Sequence, residues 1–128
     1  MANVKFDSNS KVYLSNDGNA TGSTVIGYGA GASIASGDDY NTFIGHQVAD
    51  ANMTDATNNV GVGYEALSGL TSGDGNTVLG HQAGNALTAG SNNVAIGKGS
   101  LLYGSDDTDA NVAIGQGSMN GNFGTANV

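Results

Sequence analysis

This sequence predicts an all-β fold: a repeat solenoid, or β-roll, with rungs of about 18 residues, intertwined or packed as a homotrimer. Three observations carry that reading. An aliphatic-Gly pair recurs six times, at Ile26-Gly27, Ile44-Gly45, Val62-Gly63, Leu79-Gly80, Ile96-Gly97 and Ile114-Gly115, and its glycines are spaced by 18, 18, 17, 17 and 18 residues. A repeat this short cannot bury a face alone, so it stacks one rung on the next. Each pair is preceded by a short β-branched and aliphatic run that opens on Ser or Asn, as in Asn41-Thr42-Phe43-Ile44 and Asn93-Val94-Ala95-Ile96. Finally, 22 glycines with no proline fall in register, which favours repeated turns over disorder.

The elements follow in chain order. Residues 1–22 precede the repeat and form an N-terminal arm, an attachment segment. Within it Val4-Lys5-Phe6 and Lys11-Val12-Tyr13-Leu14 are candidate short strands. Residues 23–128 form the six-rung domain, which ends in Asn127-Val128, the opening of a partial seventh repeat. The leading Ser or Asn suits a turn entering each strand, and stacked Asn side chains can form a ladder along the axis.

Three residues before each glycine stand Thr24, Thr42, Val60, Thr77, Val94 and Val112. One residue before it stand Ile26, Ile44, Val62, Leu79, Ile96 and Ile114. These two columns share a face of the strand, and the second is expected to fill the coil interior. The column between them, Val25, Phe43, Gly61, Val78, Ala95 and Ala113, points the other way and is apolar too. A strand apolar on both faces is covered on both.

The glycine suits a corner with positive φ or close backbone approach. Three residues beyond it, Ala30, Val48, Ala66, Ala83, Ser100 and Ser118 are small enough for a crowded second arm. Polar loops such as Ser36-Gly37-Asp38-Asp39 and Thr71-Ser72-Gly73-Asp74-Gly75 close each rung and are expected to face solvent.

The period alone also fits a left-handed hexapeptide helix, which needs an aliphatic residue every sixth position. Six and twelve residues after Ile26 stand Ala32 and Asp38, and after Leu79 stand Asn85 and Ser91, so that fold and its acyltransferase activity are disfavoured. One apolar wall per rung is a thin core for a lone coil. The expected remedy is a closed threefold assembly through Val25, Phe43, Val78, Ala95 and Ala113.

Eleven acidic residues against three basic give a net charge of −8, which disfavours nucleic acid and anionic membranes as partners. There is no cysteine, and no apolar run of membrane-spanning length or of a secretion signal. The column after the glycine reads Tyr28, His46, Tyr64, His81, Lys98 and Gln116. His46 and His81 lie two rungs apart, about 9–10 Å, too far for one ion within one chain; a threefold ring of either histidine is the alternative to the favoured reading, stacked polar side chains sealing the trimer or coil edge. Asp107-Thr108-Asp109-Ala110-Asn111 has the alternating oxygens of a calcium loop without its glycine and terminal glutamate, and reads as a solvated turn. No metal, no cofactor and no catalytic group is assigned, and the chain is expected not to be an enzyme. An ice-binding surface is disfavoured because the Thr column reads as inward and is interrupted at Val60, Val94 and Val112.

Asn93-Val94-Ala95-Ile96-Gly97-Lys98-Gly99-Ser100 and Asn111-Val112-Ala113-Ile114-Gly115-Gln116-Gly117-Ser118 resemble the repeat of trimeric autotransporter adhesin heads. Those heads are trimers of left-handed parallel β-rolls, and the resemblance spans residues 23 to about 120. Similar Asn-Thr-aliphatic-Gly repeats occur in bacteriophage fibre and capsid-decoration proteins. The longer Asp/Gly/Thr loops and the lack of an export signal favour a phage relative. The resemblance implies a virion structural protein, assembled in the host cytoplasm and placed on the virion surface: a trimeric capsid decoration (cement) protein or a short fibre knob, with the major capsid protein or another virion protein as partner. The alternatives are a receptor-binding adhesin tip and a fragment of a tail fibre.

Overall fold

A computed structural model describes residues 12–14, 21–104, 108–121 and 124–128. Its strands are all three residues long: β1 Val12–Leu14, β2 Thr24–Ile26, β3 Thr42–Ile44, β4 Val60–Val62, β5 Thr77–Leu79, β6 Val94–Ile96 and β7 Val112–Ile114. They form one sheet in chain order. Strands β2 to β7 are the six predicted strands, and they pair in parallel with every column in register, Val25 beside Phe43 and Phe43 beside Gly61. The chain is a parallel β-solenoid, without helix among the described residues. Strand β1 runs antiparallel to β2, with Val12 opposite Ile26, and so covers the first edge of the sheet. Of the rest of the proposed N-terminal arm Thr21 and Gly22 are described, and Val4-Lys5-Phe6 lies outside the described residues.

The strand faces are the reverse of those expected. Val25, Phe43, Gly61, Val78, Ala95 and Ala113 point into the coil, and Phe43 and Val78 are 0% exposed. These are the residues assigned to a trimer interface; each is consumed by the interior of its own chain. Ile26, Ile44, Val62, Leu79, Ile96 and Ile114, assigned to the interior, face outward, with Leu79 49% and Ile114 65% exposed.

The asparagines set this parity. Each stands two residues before the inward column, so a period of two puts both on one face. Asn41, Asn59, Asn76, Asn93 and Asn111 are fully buried. The Asn59 backbone N–H and Nδ2 both donate to Asn41 Oδ1, at 2.9 and 3.2 Å. Asn76 donates the same pair to Asn59 Oδ1, and the pattern repeats through Asn93, Asn111 and Asn127. The remaining amide hydrogen goes to a carbonyl of the incoming loop, as from Asn59 to Gly73 and from Asn76 to Gly90, both at 2.8 Å. A buried amide is costly unless every group is paired, and this ladder pairs them at each rung. Asn127 continues it as the seventh position.

The corner glycines have φ between 117° and 144°. A Cβ on Gly27 would collide with the carbonyl oxygen of Gly45, and one on Gly45 with that of Gly63. Close approach and backbone conformation both demand glycine here.

The second arm is confirmed as crowded: Ala30, Val48, Ala66, Ala83 and Ser100 are buried. It is also richer than expected. Leu67, Leu70, Leu87 and Leu101 are fully buried, and Met53 nearly so, which adds apolar walls beyond the strand. The expectation of one apolar wall per rung therefore fails, and the coil has a thicker core of its own. These leucines escape a six-residue count because the arm is built of tight turns, with positive φ at Leu67 and Leu101.

The loops also depart from expectation at several points, since Asp38, Gly73 and Thr108 are buried. Asp38 is 1% exposed rather than solvated, its carboxylate accepting the Ala35 and Ala56 N–H groups at 2.9 and 3.0 Å. Asp74 and Asp55 do face solvent.

Candidate functional site

Two surfaces of the coil stand out, one set by the strand parity and the other by the corner geometry. The first is the outer face of the strand wall. Ile26, Ile44, Leu79 and Ile114 are exposed, Val62 and Ile96 half-buried, and the neighbouring column Thr24, Thr42, Val60, Thr77, Val94 and Val112 lies beside them. Five steps of about 4.8 Å and two columns about 7 Å apart make a mainly aliphatic stripe that runs the length of the strand wall. The threonines face outward rather than inward, which leaves the interruptions at Val60, Val94 and Val112 as the feature that disfavours an ice-binding surface.

The second surface follows the corner. Each glycine turns the next side chain out of the coil, and register stacks those side chains. Tyr28, His46, Tyr64 and His81 form a continuous column, with ring centroids 5.1, 5.3 and 5.1 Å apart and interplanar angles of 27°, 19° and 24°. All four are exposed. The expected stacking is present, and Tyr64 separates the two histidines. Lys98 and Gln116 continue the column without rings, on the same backbone pattern: Gly99 N–H donates to His81 O and Gly117 N–H to Lys98 O.

Beside this column runs another: Gln47, Glu65 and Gln82, all with φ near 50° and half-buried. Gln82 Nε2 donates to Glu65 Oε2 at 2.7 Å. That bond, with a second from Tyr64, holds the Glu65 carboxyl below its ordinary pKa. Partial desolvation opposes the shift, and His81 and His46 add to it. The Tyr64 hydroxyl is shifted up in turn, chiefly by its hydrogen bond to Glu65. Sequence reasoning missed Glu65 because a lone acid in a Gly/Gln column carries no motif.

A third column lines the loop corner. The Thr21 N–H donates to Asp39 Oδ1 at 2.6 Å, Thr57 N–H to Asp74 Oδ1 at 2.7 Å and Ser91 N–H to Asp109 Oδ1 at 2.6 Å. Carboxylates thus alternate with hydroxyl residues, so no two charges stack on adjacent rungs, where they would repel. Asp107 of the candidate calcium loop lies outside the described residues. Thr108 is buried, and Asp109 is engaged by Ser91. Among the described residues no three His or acidic side chains gather to hold a metal ion. The chain matches no family model, no curated protein and no solved structure.

Proposed function

We propose that this chain is a structural protein of a bacteriophage virion: a homotrimeric capsid decoration protein or short fibre knob, assembled in the host cytoplasm and displayed on the particle surface, with the major capsid protein or another virion protein as its partner. In this reading it is not an enzyme and uses no cofactor. The observation that supports it is the outer strand stripe. Six rungs repeat Ile, Ile, Val, Leu, Ile and Ile in one outward column, a uniformity that solvent exposure does not require. Three copies around a threefold axis bury that stripe by closed symmetry. The interface of the proposal is therefore the Ile26 to Ile114 column with its Thr24 to Val112 neighbour, in place of the Phe43 column.

Mass measurement in solution tests the assembly: three chains per particle are expected, and Ile44→Asp with Leu79→Asp should give folded monomers. A monomeric wild type would overturn the trimer. Co-sedimentation with empty capsids of the encoding phage tests the location. Removal of residues 1–11, which leaves β1 in place, should abolish binding if the arm attaches the trimer. The exposed aromatic column favours a second reading, an adhesin tip or a piece of a tail fibre that contacts a receptor.

A further inference from the structure

We propose that the Tyr28, His46, Tyr64 and His81 column is a docking track for an extended, neutral polysaccharide, laid along the coil axis with one sugar ring per rung. The fold does not need these rings. Lys98 and Gln116 occupy the same position with the same backbone pairing, and the rungs are already fixed by the corner glycines and the asparagine ladder. Four consecutive exposed rings are therefore a surface feature in need of another account.

Their spacing selects the ligand. A centroid step of 5.1–5.3 Å matches the rise per residue of a β-1,4-linked pyranose chain. Same-face side chains of an extended peptide are about 6.6 Å apart and fall out of step with the rings within two rungs. A polynucleotide is opposed by the net charge of −8. Phenol and imidazole tips alternate along the track and supply donors and acceptors to sugar hydroxyls, while ring edges supply apolar contact. The adjacent Gln47, Glu65 and Gln82 add two amides and one carboxylate, with Asp50 against Gln47 and Lys98 one rung beyond His81, and this small, mixed charge suits a neutral chain better than a polyanion. The proposal depends neither on the trimer nor on the virion.

Calorimetric titration of the wild-type protein with neutral cello-, chito- and xylo-oligosaccharides of two to six residues tests it. Affinity for at least one series should rise about tenfold from dimer to tetramer and then level off, since the ring track is four rungs long. Tyr64→Ala, at the third rung, should weaken tetramer binding by about tenfold with thermal stability retained; Tyr64→Phe should lose only part. The His46 and His81 imidazole NMR signals should shift on titration. Binding independent of length, binding unchanged in Tyr64→Ala, or no binding of any series at about 10 mM would each overturn the track.

Discussion

The two faces of the strand wall follow opposite rules. The inward column varies from Phe43 to Gly61 to Ala95, whereas the outward column scarcely changes from Ile26 to Ile114. An interior tolerates variety because neighbours exchange volume. A Cβ on Gly61 would lie 2.8 Å from Val48 Cγ1 and 3.2 Å from both Leu67 Cδ1 and Phe43 Cδ1, so large side chains of its own and the preceding rung already fill its space. Among the described residues the outward column is not packed in this way, and its uniformity is what supports the proposed threefold interface.

Substitutions can break or sharpen that contrast. The largest effect is expected from Phe43→Asp, which buries an unpaired charge and should abolish the folded coil rather than release folded monomers. Circular dichroism separates these outcomes, and a folded Phe43→Asp monomer would contradict the inward assignment. Asn76→Ala removes the acceptor of two Asn93 bonds and should cost on the order of 3 kcal/mol in chemical denaturation. Gly61→Ala should cost about 1–3 kcal/mol through overpacking, and Phe43→Leu in the same chain should recover part of it. Ile44→Asp should leave monomer stability within about 0.5 kcal/mol while assembly is lost. If it unfolds the monomer instead, the outward column is part of the core after all.

The smallest effect is electrostatic. The Glu65 carboxyl is held below its ordinary value of 4.5, so its contribution is present above that pH and fades as pH falls through the lowered value. Wild-type melting temperature should fall slightly more steeply on acidification than that of Glu65→Gln. Parallel curves would mean that the Gln82 contact is not kept in solution.

The strands, the corners, the small second arm and the asparagine ladder were all legible, because each is a column that repeats at every rung. The facing of the strands was misread. Uniform Ile and Val suggested an interior, when the more decisive clue was the Asn column four residues before each glycine: a buried ladder there fixes the parity of everything after it. The buried leucines were hidden for a different reason. Leu67, Leu70, Leu87 and Leu101 occupy two arm columns in only some rungs, where others place Gly31, Gly84 or Gly104. The residue before the ladder, at Tyr40, Asn58, Asn92, Ala110 and Ala126, adopts φ near 60°, and only Gly22 and Gly75 hinted at it. The outward aromatic column was recognised as a stack, but its separation from the needs of the fold required the backbone at Lys98 and Gln116.

The asparagine ladder also bears on how the coil forms. Each Oδ1 presents its acceptor to the rung 16 to 18 residues further on, so every long-range bond in the ladder spans nearly the same short length of chain. No step has to close a loop larger than one rung, and the entropy of closure is therefore small and equal at each stage. Once one rung is in place, its open amide oxygen is the template for the next. Folding of such a chain is a zipper that advances rung by rung.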